Sequence, residues 1–181
     1  PGFINIEISD NYRTEIINKV IKANNRFGSN NIGNKEKVQL EFVSVNPTGP
    51  VHVGHARGAV VGSCLANILS FSGYDVTKEY YVNDAGTQID LYVRSILYNI
   101  YSKFNLEFDN PEEGYKGEFI EYISNEIIRE FNIDKNLDLL SNRKKFCHQV
   151  KKTSLKNTIS KIENDLRDLG VEYDKWFYES S

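Results

Sequence analysis

Hydrophobic positions along this chain follow first a strand pattern, then a helical pattern and then a strand pattern again. Residues 38–45 (VQLEFVSV) are β-branched and apolar, which predicts a buried strand, and the prolines that follow must end it because they cannot donate ladder hydrogen bonds. Residues 54–72 are mostly small or aliphatic and predict a helix packed closely on a sheet, with Gly73 as its stop. Residues 76–82 (VTKEYYV) predict a second strand. A strand, a helix and a strand in this order predict a parallel pair with a right-handed crossover.

Helical patterns flank this unit on both sides. Before it, a helix capped by Asp10 is predicted to end near residues 24–25, and a turn-rich stretch at 28–34 indicates a linker. After it, three long helices are predicted, at about residues 88–104, 118–131 and 141–169. Gly170 stops the last of them, and the aromatic segment 171–178 (VEYDKWFY) is predicted to be a strand or an extended piece.

The turn between the first strand and its helix carries the candidate chemistry. In a parallel sheet, ligands bind at the carboxyl ends of the strands, and the start of a helix offers unpaired N–H groups to a phosphate. Gly54 lacks a side chain, which lets a base or a phosphate approach the backbone. His52 and His55 can donate hydrogen bonds to phosphate oxygens and stabilise the charge that develops during a displacement at phosphorus. Two isolated histidines are more often capping or surface residues, so the surrounding residues decide the interpretation.

Composition excludes several classes of protein. The chain has 181 residues, of which 40% are hydrophobic and 26% charged, and its net charge is -3, so a nucleic-acid partner would have to be held by local clusters of Lys and Arg. Cys64 and Cys147 lie far apart without a Cys-x-x-Cys spacing, which favours neither a disulfide framework nor a zinc site. No apolar run approaches the ~20 residues that span a bilayer, so we expect no membrane partner and a cytoplasmic location. The chain begins at Pro1 rather than Met and ends behind an aromatic cluster, and we expect both ends to be cut.

The sequence His52-Val53-Gly54-His55, following Pro-Thr-Gly-Pro, resembles the first signature (HIGH) of class I aminoacyl-tRNA synthetases. Longer segments resemble the arginyl-tRNA synthetases in particular and keep the order of that family across nearly the whole chain. These segments are residues 1–5 (PGFIN), 41–58 (EFVSVNPTGPVHVGHARG), 80–86 (YYVNDAG), 114–118 (GYKGE) and 170–177 (GVEYDKWF). Together they are far more specific than a four-letter motif.

The resemblance implies a role for individual residues. Ser44 and Asn46 are implied to touch the bound arginine, Asn46 at its α-amino group. Glu41 is implied to lie near the guanidinium, and a carboxylate is the natural partner of that group. The implied ATP-binding residues are His52, Gly54 and His55. His55 is also implied to lie close to the arginine carboxylate.

The resemblance further implies an α/β fold: the first half of a Rossmann-type nucleotide-binding domain with parallel strands, followed by a helical insertion. We place the end of an N-terminal tRNA-contacting domain and a linker at residues 1–34. The first βαβ unit, with the H-x-G-H motif, is placed at 35–90, and a truncated helical insertion at 91–181.

The implied activity is that of an arginine–tRNA ligase, which activates L-arginine with ATP to arginyl-adenylate and transfers it to arginine tRNA. Mg²⁺ is expected with the nucleotide, held mainly by phosphates and water, so no protein metal ligand is proposed. We expect this chain to be inactive alone and its parent enzyme to be a monomer. Two alternatives stay open: another nucleotidyl-transferring enzyme with an H-x-G-H turn, and a non-catalytic module that binds a nucleotide or tRNA.

Three further features have competing interpretations. Asp84 is a candidate contact for a substrate or the tRNA end, but Asn-Asp-Ala-Gly is equally a good turn and helix cap. Tyr80 and Tyr81 favour packing within the sheet, and residues 176–178 (WFY) favour core packing over a stacking platform. Residues 151–156 (KKTSLK) faintly resemble the second class I signature, KMSK. Because they fall inside a predicted amphipathic helix, we interpret their lysines as a solvated face.

Overall fold

The computed structural model describes residues 2–134, 136 and 138–181. In chain order the elements are α1 (Asp10–Ala23), a 3₁₀ turn (Asn24–Arg26), β1 (Lys37–Glu41), α2 (Val53–Phe71), β2 (Asp75–Val82), α3 (Thr87–Lys103), α4 (Glu118–Glu130), α5 (Asp138–Ser141), α6 (Arg143–Asp168) and β3 (Lys175–Tyr178). Position 1 of the predicted unit 1–34, and positions 135 and 137 of the predicted unit 91–181, lie outside the described residues. Helices and parallel strands confirm the predicted α/β class.

The three strands form one sheet in the order β1-β2-β3, and both pairs are parallel. The pairing of β1 with β2, Lys37 opposite Asp75 through Glu41 opposite Glu79, confirms the predicted parallel pair. The final aromatic segment provides a true strand, because Lys175–Tyr178 pairs with β2. The last part of the predicted unit 91–181 therefore returns to the sheet, while the three domain boundaries stay predictions.

The two faces of the sheet differ in polarity. Because side chains alternate along a strand, Tyr80, Val82 and Trp176 project from the same face. There they pack with Ala59 of α2 and Ile162 of α6 into a hydrophobic cluster. The opposite face, which we call the polar face, carries Gln39, Glu41, Thr77, Glu79, Tyr81, Lys175 and Phe177.

Glu79 links the three strands on the polar face. Its carboxylate accepts a hydrogen bond from Gln39 Nε2 of β1 at 2.7 Å and forms an ion pair with Lys175 Nζ of β3 at 2.8 Å. Although Glu79 is only 6% exposed, both carboxylate oxygens face a polar partner. A buried charge is tolerated in this way when it is paired, so Glu79 connects the three strands through side-chain contacts on the polar face.

Helices α3, α4 and α6 form a second hydrophobic core beside the sheet. It includes Tyr92, Ile96 and Ile100 of α3, Ile123 and Ile127 of α4, and Phe146 and Val150 of α6. Helix α6 has 26 residues, and its second half packs on the sheet through Ile162 and Leu166. Helix α6 therefore contacts both hydrophobic cores, and its first half extends beyond the end of the sheet.

Two predicted element boundaries are corrected. Ser9, not Asp10, caps α1, since Ser9 Oγ accepts a hydrogen bond from the Tyr12 backbone N–H and Asp10 is the first helical residue. The predicted helix at 141–169 begins only at Arg143, because Asn142 accepts from the backbone N–H of Lys145 and caps α6. Within residues 2–134, 136 and 138–181, no helix has the length and apolar character needed to cross a membrane.

Candidate active site

Strand β1 ends at Glu41, four residues before the predicted end at Val45. Val43 and Ser44 adopt φ values of 69° and 42°, in the left-handed region, which a β-branched residue such as Val43 rarely enters. The Ser44 backbone N–H donates to the Phe42 carbonyl at 3.1 Å, which turns the chain away from the sheet. The strand prediction is therefore wrong over residues 42–45, although their composition is that of a strand.

Two tyrosine hydroxyls provide the hydrogen bonds that the sheet no longer supplies to this turn. Tyr80 Oη donates to the Val45 carbonyl and accepts from the Val45 N–H, both at 3.1 Å, and Tyr173 Oη donates to the Phe42 carbonyl at 3.0 Å. Burial raises the pKa of Tyr80 to about 12, so its hydroxyl stays protonated and able to donate at neutral pH. Burial also raises the pKa of Tyr173. Strained backbone persists where its surroundings fix it in this way, often beside a functional site.

We expect Tyr80→Phe to lower the free energy of unfolding by about 1–3 kcal/mol, because both polar groups of Val45 lose a partner in a partly buried turn. Denaturation by urea, followed by circular dichroism, measures this change. Tyr178→Phe, which removes a hydroxyl from a more exposed tyrosine, is the matched control and should cost less than about 0.5 kcal/mol. Equal losses in the two variants would contradict the role given to Tyr80.

Ser44 and Tyr81 meet where β2 continues beyond the end of β1. Ser44 Oγ accepts a hydrogen bond from the Tyr81 backbone N–H at 3.1 Å, so a side chain replaces the ladder partner that β1 would have offered. The pKa of the Tyr81 hydroxyl is raised by burial first, and then by the negative charges of Glu179, Asp84 and Glu41. The structure thus brings three predicted site residues, Glu41, Ser44 and Asp84, into one neighbourhood. We call the carboxylates of Glu41, Asp84 and Glu179 around Tyr81 the acidic group.

Tyr81 and Glu179 are two residues of this neighbourhood that sequence reasoning does not identify as site residues. Strand alternation does contain a signal for Tyr81, because it must face away from its neighbour Tyr80, which is buried on the apolar face. No comparable signal exists for Glu179, which reaches the acidic group only because its backbone N–H continues the pairing of β3 by donating to the Val82 carbonyl at 3.0 Å.

Asp84 connects the end of β2 to the segment after β3. Its Oδ1 accepts from the Ser180 backbone N–H at 3.0 Å, and its Oδ2 accepts from the Ser180 hydroxyl at 2.6 Å. It does not cap α3, because Gly86 is the N-cap of that helix and no side chain bonds there. The helix-cap interpretation of Asp84 is therefore wrong, and its role toward a substrate or the tRNA end stays a prediction.

Asn46 contacts a third element, because its Nδ2 donates to Gln88 Oε1 at the start of α3. This hydrogen bond ties the loop after β1 to the first turn of α3, across 42 positions of sequence. Gln88 is a further residue of the site that the sequence does not single out. The hydrogen bond holds the Asn46 amide at the carboxyl edge of the sheet. The Asn46 amide takes no part in the separate hydrogen bond between Ser44 and Tyr81.

The two histidines form the start of α2. His52 is the N-cap, and its Nδ1 accepts from the Gly54 backbone N–H at 3.1 Å, while His55 Nδ1 accepts from the His52 backbone N–H at 3.3 Å. The rings stack with their centroids 3.5 Å apart. Because both Nδ1 atoms are acceptors, each neutral ring carries its proton on Nε2 and can donate it to a ligand. Burial, and then the neighbouring His52, lowers the pKa of His55 and favours this neutral form.

The structure explains the presence of glycine at position 54 in a way that the sequence does not reveal. A Cβ atom at this position would lie 3.0 Å from Cε1 and 3.1 Å from Nδ1 of the His52 ring. The absence of a side chain therefore leaves room for His52 to fold back over the helix start. This role is compatible with the predicted approach of a ligand to the same backbone.

Metal-binding side chains do not cluster in the described part of the chain. There, no group of three or more His, Cys, Asp or Glu residues has the arrangement needed to hold a metal ion. Cys64 is exposed, Cys147 is half-buried, and both are free thiols.

Comparison with known proteins identifies the family. The profile described as "tRNA synthetases class I (R), catalytic domain" matches residues 16–174. The chain is 42% identical to Arginine–tRNA ligase of Bacillus subtilis and 39% identical to that of Geobacillus kaustophilus, over 181 residues in each case. All of the chain is covered, but only 32% of either relative, so the chain spans about a third of their length.

A solved structure supports the same relationship. The structure named for an arginyl-tRNA synthetase of Campylobacter jejuni is 32% identical and superimposes with a TM-score of 0.82, covering 96% of this chain and 37% of the other. The family profile, the relatives and this structure together confirm the predicted resemblance. The chain therefore belongs to the arginyl-tRNA synthetases of class I, and its residues 16–174 match their catalytic domain.

Proposed function

We propose that the full-length protein containing this chain is an arginine–tRNA ligase. The observation that carries this proposal is the pair of histidines at the start of α2, each accepting a backbone hydrogen bond at Nδ1, at the carboxyl edge of a parallel sheet. Identity of 42% to Arginine–tRNA ligase of Bacillus subtilis over the whole chain supports arginine as the amino acid. Since the chain spans 32% of that relative, the activity is proposed for the whole protein.

In this proposal, His52, Gly54 and His55 bind ATP. The Nε2–H groups of His52 and His55 donate to phosphate oxygens, and the positive end of the α2 dipole adds to the favourable field. Neutral donors fixed by backbone hydrogen bonds need no rearrangement when negative charge develops at the phosphorus, and such preorganised donors each contribute a few kcal/mol.

Arginine binds on the polar face beside the acidic group. A guanidinium needs a carboxylate partner, which Glu41 supplies, and the charges of Asp84 and Glu179 deepen the negative potential around it. Ser44 and Asn46 contact the amino acid, Asn46 at its α-amino group. Bound in this way, arginine directs its carboxylate toward His55 and the ATP phosphates.

The reaction then proceeds in two displacements. An oxygen of the arginine carboxylate bonds to the α-phosphorus of ATP, and the bond from that phosphorus to pyrophosphate breaks. A hydroxyl of the terminal ribose of arginine tRNA next bonds to the arginyl carbonyl carbon, AMP leaves, and the hydroxyl proton passes to solvent. Mg²⁺ enters with ATP and is held mainly by phosphates and water. The residues of this chain position the reactants and stabilise charge, and no covalent enzyme intermediate is needed.

Exchange of labelled pyrophosphate into ATP tests the proposal. The full-length protein, expressed from the longest reading frame that contains this chain and supplied with arginine tRNA, should catalyse exchange only when L-arginine is present. Exchange without arginine would favour a different nucleotidyl-transferring enzyme with an H-x-G-H turn. A folded protein that binds a nucleotide or tRNA but supports no exchange would favour the non-catalytic alternative.

We expect Glu41→Gln in the full-length protein to raise the KM for arginine at least tenfold while changing the KM for ATP less than twofold. The change removes one negative charge that only the guanidinium needs, and a charge-assisted hydrogen bond contributes about 1.5–3 kcal/mol. Glu113→Gln, at an exposed position in the loop between α3 and α4, is the matched control. Equal changes in the two KM values would count against the assignment of Glu41.

Three further features remain predictions for the whole protein. We propose a cytoplasmic location, which the two free cysteines support. We also propose that the full-length enzyme is a monomer and that residues 1–34 end a tRNA-contacting domain. Gel filtration with light scattering measures the oligomeric state, and tRNA binding by variants in residues 1–34 tests the role of that segment.

A further inference from the structure

Strand β2 extends further than its partner β1. The five residues of β1 pair with Asp75–Glu79, whereas Tyr80–Val82 continue β2 past the end of β1. Tyr81 directs its backbone toward the side of β1, because its N–H donates to Ser44 Oγ in the loop after that strand. The end of β2 therefore offers hydrogen bonds that a longer β1 would use.

The register of the sheet determines how a longer β1 would bond. The Asp75 backbone N–H donates at 2.9 Å to the carbonyl of Glu36, one position before the strand partner of Asp75. Six residues further along both strands (75 to 81 and 36 to 42), the same parallel pattern joins the Tyr81 N–H to the Phe42 carbonyl. It also joins the Ser44 N–H to the Tyr81 carbonyl. We call this the extended arrangement.

The observed turn bonds the same backbone groups in a different way. The Phe42 carbonyl accepts from the Ser44 N–H at 3.1 Å, and the Tyr81 N–H donates to the Ser44 side chain at 3.1 Å. Both arrangements give a partner to the Phe42 carbonyl and to the N–H groups of Ser44 and Tyr81. The backbone is satisfied in either case, so other contributions decide between the two.

These other contributions oppose each other. The turn gains three tyrosine hydroxyl bonds, two between Tyr80 and Val45 and one from Tyr173 to the Phe42 carbonyl. The extended arrangement would relieve Val43, whose φ of 69° is rare for a β-branched residue that favours strands. A few hydrogen bonds and a strained residue contribute free energies of similar size, so a small change moves the equilibrium.

Phe42 determines where the two arrangements diverge. Its ring occupies the space that a side chain at Gly62 of α2 would fill, and its centroid lies 4.7 Å from that of the Tyr173 ring. In a longer β1, Phe42 would lie opposite Tyr80 and project from the same apolar face, so its ring keeps these contacts. The change is confined to residues 43–45, which we call the switch segment.

Extension of β1 would close the candidate arginine site. Strand alternation would place Val43 on the polar face, two positions after Glu41 and directly opposite Tyr81. The apolar side chain of Val43 would then lie within the acidic group, where the guanidinium is proposed to bind. Ser44 would turn its hydroxyl to the opposite face, away from the amino acid. Arginine can therefore bind only when the switch segment forms the turn.

We propose that the switch segment opens and closes the arginine site, with the turn as the open state, the extended arrangement as the closed state, and Tyr80 and Tyr173 as the residues that hold it open. Bound arginine favours the turn because it contacts Glu41 only in that state. The identity of this ligand rests on the proposed function, whereas the two backbone arrangements follow from the register and the hydrogen bonds alone.

Pyrophosphate exchange by the full-length protein tests the effect on arginine. Tyr80→Phe/Tyr173→Phe removes the three hydroxyl bonds of the turn and should raise the KM for arginine at least about threefold. The kcat and the KM for ATP should change less than about twofold, because saturating arginine restores the open state. Tyr122→Phe, which removes a hydroxyl from an exposed tyrosine of α4, is the matched control and should leave all three values unchanged.

Val43→Gly distinguishes the switch from an ordinary loss of packing. Glycine adopts a positive φ without strain and is a poor strand residue, so it favours the turn. Added to Tyr80→Phe/Tyr173→Phe, it should return the KM for arginine to within about twofold of the original value. Val43→Ile, which keeps the β-branch, should give no such recovery. An unchanged KM in the double variant, no recovery with glycine, or equal recovery with isoleucine would overturn the proposal.

NMR spectroscopy of the 181-residue chain measures the two arrangements independently of activity. The ¹³Cα chemical shift of Ser44 distinguishes a left-handed residue from an extended one. In Tyr80→Phe/Tyr173→Phe it should move toward the extended value, as the extended population rises by a factor of about ten or more. Tyr173→Phe, which keeps both bonds to Val45, should move it less and in the same direction. A shift that stays at the left-handed value in the folded variants would refute the switch.

Failure of this proposal differs from failure of the proposed function. If the Ser44 shift responds to the tyrosine variants but the protein has no arginine-dependent exchange, the switch is retained and arginine is rejected as its ligand. If the protein is an active ligase whose Ser44 shift and arginine KM do not respond, the switch is rejected and the proposed function is retained.

Discussion

Replacing His55 by alanine in the full-length protein is expected to slow arginine-dependent pyrophosphate exchange by ~10²-fold or more. His55 is neutral and fixed, since its Nδ1 accepts from the His52 backbone N–H at 3.3 Å and its ring stacks on that of His52. In the proposed complex with ATP, its Nε2–H is therefore already oriented toward the phosphate oxygens before negative charge develops on them. Loss of one such positioned donor typically removes ~3–4 kcal/mol of transition-state stabilisation, which corresponds to this change in rate.

Two further variants separate chemistry from folding. His55→Ala also removes an acceptor at the start of α2, so thermal denaturation must confirm that the protein remains folded at the assay temperature. Asn67→Ala, at an exposed position of the same helix, controls for a substitution in α2 and should leave exchange within twofold. His55→Gln should recover part of the rate because its amide can donate in place of Nε2–H. Exchange that is unchanged in His55→Ala would refute the role of this histidine.

The 181-residue chain alone is expected to form no detectable arginyl-tRNA, whereas the complete protein is expected to form it. Displacement at phosphorus needs charge stabilisation from both sides of the transferred group, and among the residues that the structure describes we identify one of these sides, at His52 and His55. Its sheet has three strands in the described residues, and it spans 32% of its relatives, so we expect the rest of the protein to supply the second half of a nucleotide crevice. We therefore expect the chain alone to bind ATP weakly.

Incubation of the chain with ATP, arginine and arginine tRNA, followed by acid precipitation of labelled aminoacyl-tRNA, measures this deficiency. Circular dichroism and resistance to proteolysis establish that the chain is folded under the same conditions. The complete protein at equal concentration is the positive control, and its His55→Ala variant gives the background rate of aminoacylation. Aminoacylation by the chain at a rate near that of the complete protein would overturn the view that its site is incomplete.

Local sequence patterns determined the parallel βαβ unit and the position of the H-x-G-H turn. Apolar runs with different periods separated β1, α2 and β2, and prolines and glycines set their limits within a few residues. The handedness and direction of such a unit follow from backbone sterics, so the sequence alone was sufficient to place His52 and His55 at the carboxyl edge. The family resemblance was equally readable, because it depends on residue identities and not on contacts.

Tertiary structure alone decided where β1 ends and which residues surround the site. Residues 42–45 have the composition of a strand, but hydroxyls of Tyr80 and of Tyr173, the latter 131 positions after Phe42, capture their backbone and turn it out of the sheet. The acidic group likewise gathers Glu41, Asp84 and Glu179 from the ends of three strands. The periodicity of a sequence indicates only which side of its own helix or strand a residue occupies. The contacts described here depend on how separate elements pack, so they stabilise the chain only after it has folded.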